Sequence, residues 1–100
     1  MPKLYEYLGI VFYFYAREHL PIHVYAKFED YEIKSELIYE GGNLIEIQQR
    51  SSGSGLPLPA KKRKEAEKFV KAYHKEITDK WQAFFALKIE LSPERITQKL

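Results

Sequence analysis

Two of the three histidines of the chain lie close together in the segment EHLPIHVY, which spans positions 18–25. An imidazole titrates near neutral pH, so it can transfer protons or bind a metal. Glu18 precedes His19, and Pro21 stiffens the chain between His19 and His23. These residue types raise three hypotheses for the segment: a metal site, an acid–base site, or a contact site for a partner.

The metal hypothesis requires several ligands that converge on one ion. Zinc is held by imidazoles or carboxylates at about 2.0–2.2 Å. Adjacent residues such as Glu18 and His19 are poorly placed to point at the same ion. His23 shares a strand face with Tyr25, and a tyrosine seldom binds zinc. We therefore expect no bound metal and no other cofactor.

The acid–base hypothesis requires a carboxylate that orients an imidazole, and Glu18, Glu32 and Glu36 are candidates. The sequence alone does not place them. His19 and His23 could instead hydrogen-bond only to backbone atoms. The chain also lacks a glycine-rich phosphate loop, a Ser/His/Asp order and a cysteine nucleophile. We predict no catalytic residue, and an enzymatic role ranks third among the functions considered below.

The elements that hold this segment have the alternation of a half-buried sheet. In residues 22–28, one face carries Ile22, Val24, Ala26 and Phe28, and the other carries His23, Tyr25 and Lys27. Further strand patterns cover residues 4–7, 10–15, 31–38 and 44–49. The strand at 10–15 is apolar on both faces, which predicts a central position. In the last strand, Ile45 and Ile47 are expected to point inward.

Short polar or glycine-containing turns at 8–9, 29–30 and 41–43 join these strands, which favours antiparallel neighbours. From residue 60 to 87 the apolar spacing becomes helical and places Trp81 in the core. We predict one domain over 1–100: sheet in 1–49, a flexible loop in 50–59, a helix in 60–87 and a C-terminal tail in 88–100 with a short strand at 89–91. The predicted fold is α+β, an antiparallel meander of four or five strands with one long helix packed on one face.

Composition indicates the cellular compartment in which the protein is expected to act. There is no cysteine, which excludes disulfides and fits a reducing cytoplasm. Residues 1–3 lead into tyrosines and a glutamate, so we expect no signal peptide. The longest apolar run, residues 10–16, is too short to span a membrane. The net charge of +2 creates no strong overall attraction to nucleic acid.

The aromatic N-terminal strands, the segment at 18–24 and the helix with Lys80-Trp81 near its end together resemble a bacterial family, the domain of unknown function numbered 4160. Members usually read His-x-Pro-Pro-His-Val-His-Val, whereas this chain has Ile22 at the second proline and Tyr25 at the third histidine. Members resemble the small proteins of bacterial two-gene modules. The resemblance therefore implies one half of a toxin–antitoxin-like pair.

Our first functional hypothesis is a protein-interaction module, because tyrosines anchor interfaces well. The partner is another small protein or a second copy, since an exposed sheet edge favours a homodimer. The candidate binding residues are Tyr13, Tyr15, His19, Pro21, His23 and Tyr25.

The alternative is an accessory protein that binds nucleic acid through a basic patch. The patch comprises Arg50, Lys61, Lys62, Arg63 and Lys64. Cations at a helix N-terminus oppose the helix dipole, which suggests a purpose such as phosphate contact. Glutamates interleave with lysines along the same helix, so a solvated helix face also explains the pattern.

Overall fold

A mixed sheet carries two consecutive helices on one face. The computed structural model describes residues 3–15, 21–53, 56–88 and 90–100. In chain order its elements are β1 Lys3–Tyr7, β2 Ile10–Tyr13, β3 His23–Phe28, β4 Tyr31–Glu40, β5 Asn43–Ser51, α1 Ala60–Ala72, α2 His74–Phe85 and β6 Glu94–Ile96. The α+β class is confirmed. The predicted meander of four or five antiparallel strands with one long helix is wrong in its strand number, its strand directions and its helix.

The described residues form one sheet in the order β5-β4-β3-β2-β1-β6. Each strand from β1 to β5 is antiparallel to the next, as the short connections predict. The first turn has positive φ at both Leu8 (52°) and Gly9 (78°), the conformation that matches the twist of a two-residue hairpin. β2 lies inside the sheet, as its apolar faces predict.

The sixth strand lies within the segment predicted as a C-terminal tail. Of the strand predicted at 89–91, residue 89 lies outside the described residues, and residues 90 and 91 are not in a strand. β6 pairs with β1 in parallel, because the helices carry the chain back across the sheet before it arrives. Two ion pairs hold it: Glu94 accepts from Lys80 at 2.8 Å, and Arg95 lies 3.5 Å from Glu6. Its sequence is polar, so the apolar alternation used to find strands is absent there.

The predicted long helix is divided at Tyr73, which has φ −106° and ψ 14°. No proline or glycine marks the break. The His74 ring nitrogen Nδ1 lies 2.8 Å from the Lys71 carbonyl, and the Tyr39 hydroxyl donates to the His74 carbonyl. A straight helix over residues 60–85 would be about 39 Å long. The longest extent of the protein is 33 Å, so the bend keeps both halves on the sheet.

The core lies between the helices and one face of the sheet, which we call the helix face. The Phe69 ring is 5.1 Å from that of Tyr5 and 4.6 Å from that of Phe12. Trp81 is 6 % exposed and meets Phe14 edge-on at 5.4 Å, which confirms its predicted place in the core. None of the described helices is long and apolar enough to cross a membrane.

A bulge in the β4–β5 ladder changes which side chains of β5 point inward. Leu37 pairs with Ile47 and Ile38 pairs with Glu46, but Tyr39 pairs with Leu44, so Ile45 is the extra residue. Ile47 packs against the core, whereas Ile45 is 57 % exposed. The inward prediction is therefore wrong for Ile45.

Candidate functional site

Four of the predicted binding residues come together on the second face of the sheet, which we call the cluster face. Tyr13 of β2 lies opposite Tyr25 of β3 in the ladder, so their side chains share a face. Tyr15 follows β2, and His23 begins β3. Of the described helix residues, Trp81 of α2 reaches this group, where its ring lies beside that of His23.

The rings contact each other closely. Tyr13 stacks on Tyr25 with 5.7 Å between ring centroids, and Tyr15 meets Tyr25 edge-on at 4.4 Å. The His23 ring is 5.5 Å from that of Tyr25. Such pairs add packing energy beyond their buried area. The alternation of residues 22–28 predicts the shared face of His23 and Tyr25, but the sequence does not specify the contacts with β2.

The carboxylate of Glu32 completes the cluster, although the sequence suggested it only as a partner for an imidazole. The Tyr15 hydroxyl donates to its two oxygens at 3.1 and 3.4 Å, and the Tyr13 hydroxyl lies 3.5 Å from that of Tyr15. Glu32 is 6 % exposed. The two-residue turn after β3 fixes its position, because it sets Lys27 opposite Glu32. The length of this turn is visible in the sequence, so the β3–β4 register was the signal from which the contact between Tyr15 and Glu32 could have been predicted.

His23 is oriented by the segment before it. Its Nδ1 lies 2.7 Å from the Pro21 carbonyl. A carbonyl only accepts, so Nδ1 carries a proton there. The ring also lies 5.0 Å from that of Trp81. Pro21 therefore contributes its carbonyl oxygen, and His23 joins the cluster to α2.

Glu18 and His19 lie outside the described residues, so the structure does not report on their convergence with His23. Among the residues that are described, no three His, Cys, Asp or Glu side chains are grouped so that they could hold a metal ion. The absence of a bound metal stays a prediction, and the acid–base hypothesis stays a hypothesis.

The cluster is largely buried. Tyr13, His23 and Tyr25 are buried and Tyr15 is half-buried. In this arrangement the rings pack mainly on each other, and only Tyr15 offers a substantial surface to a partner. Binding through these residues stays a prediction.

The basic patch is divided between the two faces of the sheet. Arg50 lies opposite Lys34, which lies opposite Tyr25, so its side chain is on the cluster face. The run at positions 61–64 belongs to α1, which packs on the helix face. The Arg50 side chain therefore points away from α1, although its neighbour Gln49 donates to the Arg63 carbonyl at 3.0 Å. Binding of phosphate by these residues stays a prediction.

Lys62 is also separated from the other cations of the run. Its Nζ donates to the Leu8 carbonyl at 2.7 Å, pairs with Glu65 at 3.1 Å and lies 4.7 Å from the Phe28 ring centroid. Helical spacing explains this, because four consecutive residues cannot share one face. The exposed cations of the run are Lys61, Arg63 and Lys64.

The edge of the sheet at β5 is the second candidate site, and sequence reasoning predicted it only in general terms. β5 has nine residues and is joined to β4 on one side, and no described strand covers its other side. A groove of about 190 Å³ lies between it and α1. The groove is lined by Leu44, Ile45, Glu46, Ile47, Glu67 and Lys71.

The protein is of the α+β class, with an aromatic–carboxylate cluster on one face of its sheet and a long strand edge that no described strand covers. The chain belongs to the family described as Domain of unknown function (DUF4160), whose model matches residues 9–82. This confirms the predicted resemblance. The match runs from the first turn into α2, so it includes the cluster, β5 and the basic run. No curated protein and no solved structure matches the chain.

Proposed function

We propose that the protein is a protein-interaction module whose binding surface is the β5 edge together with the groove beside α1. The observation that carries this proposal is the nine-residue edge strand, which has no described strand on the side away from β4. An edge strand presents backbone N–H and C=O groups that a strand of another chain can bind.

The two edges of the sheet differ in ways that favour β5. β6 has three residues, and salt bridges tie it to its own chain. β5 is three times as long, contains no proline and exposes Ile45 at its bulge. Apolar surface beside a free backbone edge adds affinity to backbone hydrogen bonds. A partner strand is therefore expected at β5 and not at β6.

We also propose that the chain is one half of a bacterial two-gene module, toxin–antitoxin-like in its arrangement, as the resemblance of its sequence motif implies. The partner in this proposal is a small protein, either the product of the neighbouring gene or a second copy of the chain. The proposed compartment is the cytoplasm, where proteins rarely rely on disulfides. Tyr15 is the member of the aromatic cluster that offers an additional contact.

The proposal is tested by capture of the neighbouring gene product with tagged wild type and two variants. Ile45→Lys places a charge on the β5 edge, whereas Leu87→Lys makes the same change at a residue that is 67 % exposed beyond α2. We expect at least a tenfold loss of captured partner for Ile45→Lys and none for Leu87→Lys. Equal capture by the two variants would contradict the proposal.

A second candidate function is binding of nucleic acid by the first turn of α1. It is favoured by the exposure of Lys61, Arg63 and Lys64, none of which forms an ion pair with a described acidic residue. The first turn also contains no acidic residue. Three phosphate contacts predict a slope of log K against log salt of about −2.7 on duplex DNA.

The test of this candidate replaces Lys61, Arg63 and Lys64 by glutamine and measures binding to a labelled duplex at several salt concentrations. The slope should approach zero. Lys99→Gln, which removes one cation beyond β6, is the control. If wild type does not bind even at low salt, this function is rejected.

A further inference from the structure

We propose that the strand which pairs with β5 is β5 of a second copy of this chain, antiparallel, with Gln48 of one copy opposite Gln48 of the other. This inference rests on the proposed function, since it takes the β5 edge as the binding surface. It adds the identity of the partner and the register of the pairing.

The register follows from the symmetry of a homodimer. Opposite residues in an antiparallel pair point to the same face. A two-fold axis perpendicular to the sheet therefore places one residue of β5 opposite itself. The remaining question is which residue lies on the axis.

The charges of β5 select Gln48. Glu46 and Arg50 lie two residues before and after it. With Gln48 on the axis, Glu46 of each copy lies opposite Arg50 of the other, which gives two opposite-charge pairs. An axis through residue 46 or 50 places like charges opposite each other, and an axis through 47 or 49 leaves each charge opposite an uncharged residue. Opposite-charge cross-strand pairs stabilise a ladder and like charges destabilise it.

The side chains on the cluster face are arranged for these pairs. Arg50 is exposed and donates from Nε to Glu36 at 2.5 Å and from Nη2 to Gln48. A guanidinium has five N–H donors, so others are available for a second carboxylate. Glu46 accepts from the Gln48 amide at 3.1 Å. Both charged groups are thus held along the edge strand by Gln48, the residue on the axis.

The other positions of β5 fit the same register. Ile47 comes opposite Gln49 of the second copy. The exposed Ile45 comes opposite Ser51, whose small side chain leaves room for the isoleucine. No bulky pair is forced together, and part of the apolar surface at the bulge is covered.

The interface is small. Direct pairing of residues 45–51 places it at the low end of the sizes of specific protein–protein interfaces. We therefore expect a dimer that dissociates on dilution, seen as a concentration-dependent mass in sedimentation equilibrium.

The register is tested by cysteine cross-linking, since the chain has no cysteine of its own. Gln48→Cys places two thiols opposite each other, and cross-strand Cα distances of about 4.5–5.5 Å suit a disulfide. Glu46→Cys and Arg50→Cys are matched controls, because each would be about 14 Å from its own copy along the strand. Circular dichroism verifies the fold of each variant before oxidation.

We expect Gln48→Cys to form covalent dimers under mild oxidation and each control variant alone to remain at least tenfold less cross-linked. A mixture of Glu46→Cys and Arg50→Cys should cross-link, because these positions are opposite in the proposed register. Equal cross-linking of the three single variants, or none in any, would overturn the proposal.

The proposed function and this inference fail in different ways. A monomeric chain whose capture of the neighbouring gene product still depends on Ile45 overturns self-pairing and leaves the interaction module in place. A monomeric chain with no capture that depends on β5 overturns both. A β5 dimer with the cross-linking pattern above supports the inference whatever else binds.

Discussion

The two faces of the sheet are both rich in aromatic residues, but different interactions stabilise them. On the helix face, rings pack around Phe69 and Trp81, and the hydroxyl of Tyr5 has no hydrogen-bond partner among the described residues. On the cluster face, tyrosine hydroxyls lead to the carboxylate of Glu32. We infer that the helix face depends chiefly on buried area and shape, with Tyr39 as a polar contact to α2. The cluster face combines ring packing with directional polar contacts to a buried carboxylate.

The largest expected effect is on the helix face. Trp81→Ala removes a side chain that packs on Phe14 and Phe85. We expect a loss of about 3–5 kcal/mol in the free energy of unfolding, measured by chemical denaturation, because a cavity remains in the core. Leu87→Ala at an exposed position should cost less than about 0.5 kcal/mol. Similar losses for the two variants would refute the core described here.

The next effect is on the cluster face, where Tyr15→Phe removes a hydroxyl that donates to the buried Glu32 carboxylate. We expect a cost of about 1–3 kcal/mol, because hydrogen bonds to charged groups are stronger than neutral ones. In a Glu32→Gln background the cost of Tyr15→Phe should fall to about 0.5–1.5 kcal/mol. A double-mutant cycle measures the difference, and strictly additive costs would show that the two groups do not interact.

The sequence predicted the features that depend on local patterns and missed those that depend on distant contacts. Alternation in residues 22–28 and helical spacing around Trp81 are local patterns, and they predicted β3, the two-layer arrangement and the core position of Trp81. β6 was missed because its contacts with β1 are distant in sequence and its residues are polar. The break at Tyr73 depends on Tyr39 and on the size of the sheet, neither of which the helix sequence contains.

The candidate sites show the same limit. The sequence identified His23, Tyr13, Tyr15 and Tyr25 as candidate binding residues. It did not predict that their rings contact each other, because that depends on the register between β2 and β3. Arg50 looked continuous with the basic run because it precedes it along the chain. The sheet separates them, because α1 packs on the helix face whereas the Arg50 side chain points to the cluster face.

A smaller effect concerns Tyr5 and depends on pH. Burial, followed by the charges of Glu76 and Glu94 and by the nearby Tyr73, raises the pKa of Tyr5 above its usual range. The unfolded chain ionises near pH 10 while the folded form keeps its proton, so stability falls as the pH rises above about 10. Tyr5→Phe should change stability by less than about 1 kcal/mol at pH 7.

The test of this prediction is the unfolding free energy measured from pH 8 to pH 11. Tyr5→Phe should lose less stability than wild type above pH 10, because it removes the shifted group. Parallel curves for the two proteins would show that Tyr5 ionises equally in both states.

The smallest effect on stability is expected at the sheet edge formed by β5. Glu46→Arg changes an exposed charge, so it should alter the unfolding free energy by less than about 1 kcal/mol. Arg50→Glu also replaces the ion pair with Glu36 by a like-charge contact and should cost more than Glu46→Arg, so circular dichroism verifies its fold. Their effect on association should be large, because each replaces two opposite-charge pairs in the proposed dimer by two like-charge pairs. Lys99→Glu, beyond β6, is the matched charge reversal and should leave association unchanged.

Sedimentation equilibrium of an equimolar mixture of Glu46→Arg and Arg50→Glu tests the β5 edge most directly. Each variant alone should be monomeric at concentrations where wild type is dimeric. The mixture should dimerise, because the introduced arginine of one chain then lies opposite the introduced glutamate of the other, and the retained Arg50 lies opposite the retained Glu46. A mixture that stays monomeric while wild type dimerises, or single variants that dimerise as wild type does, would contradict the account.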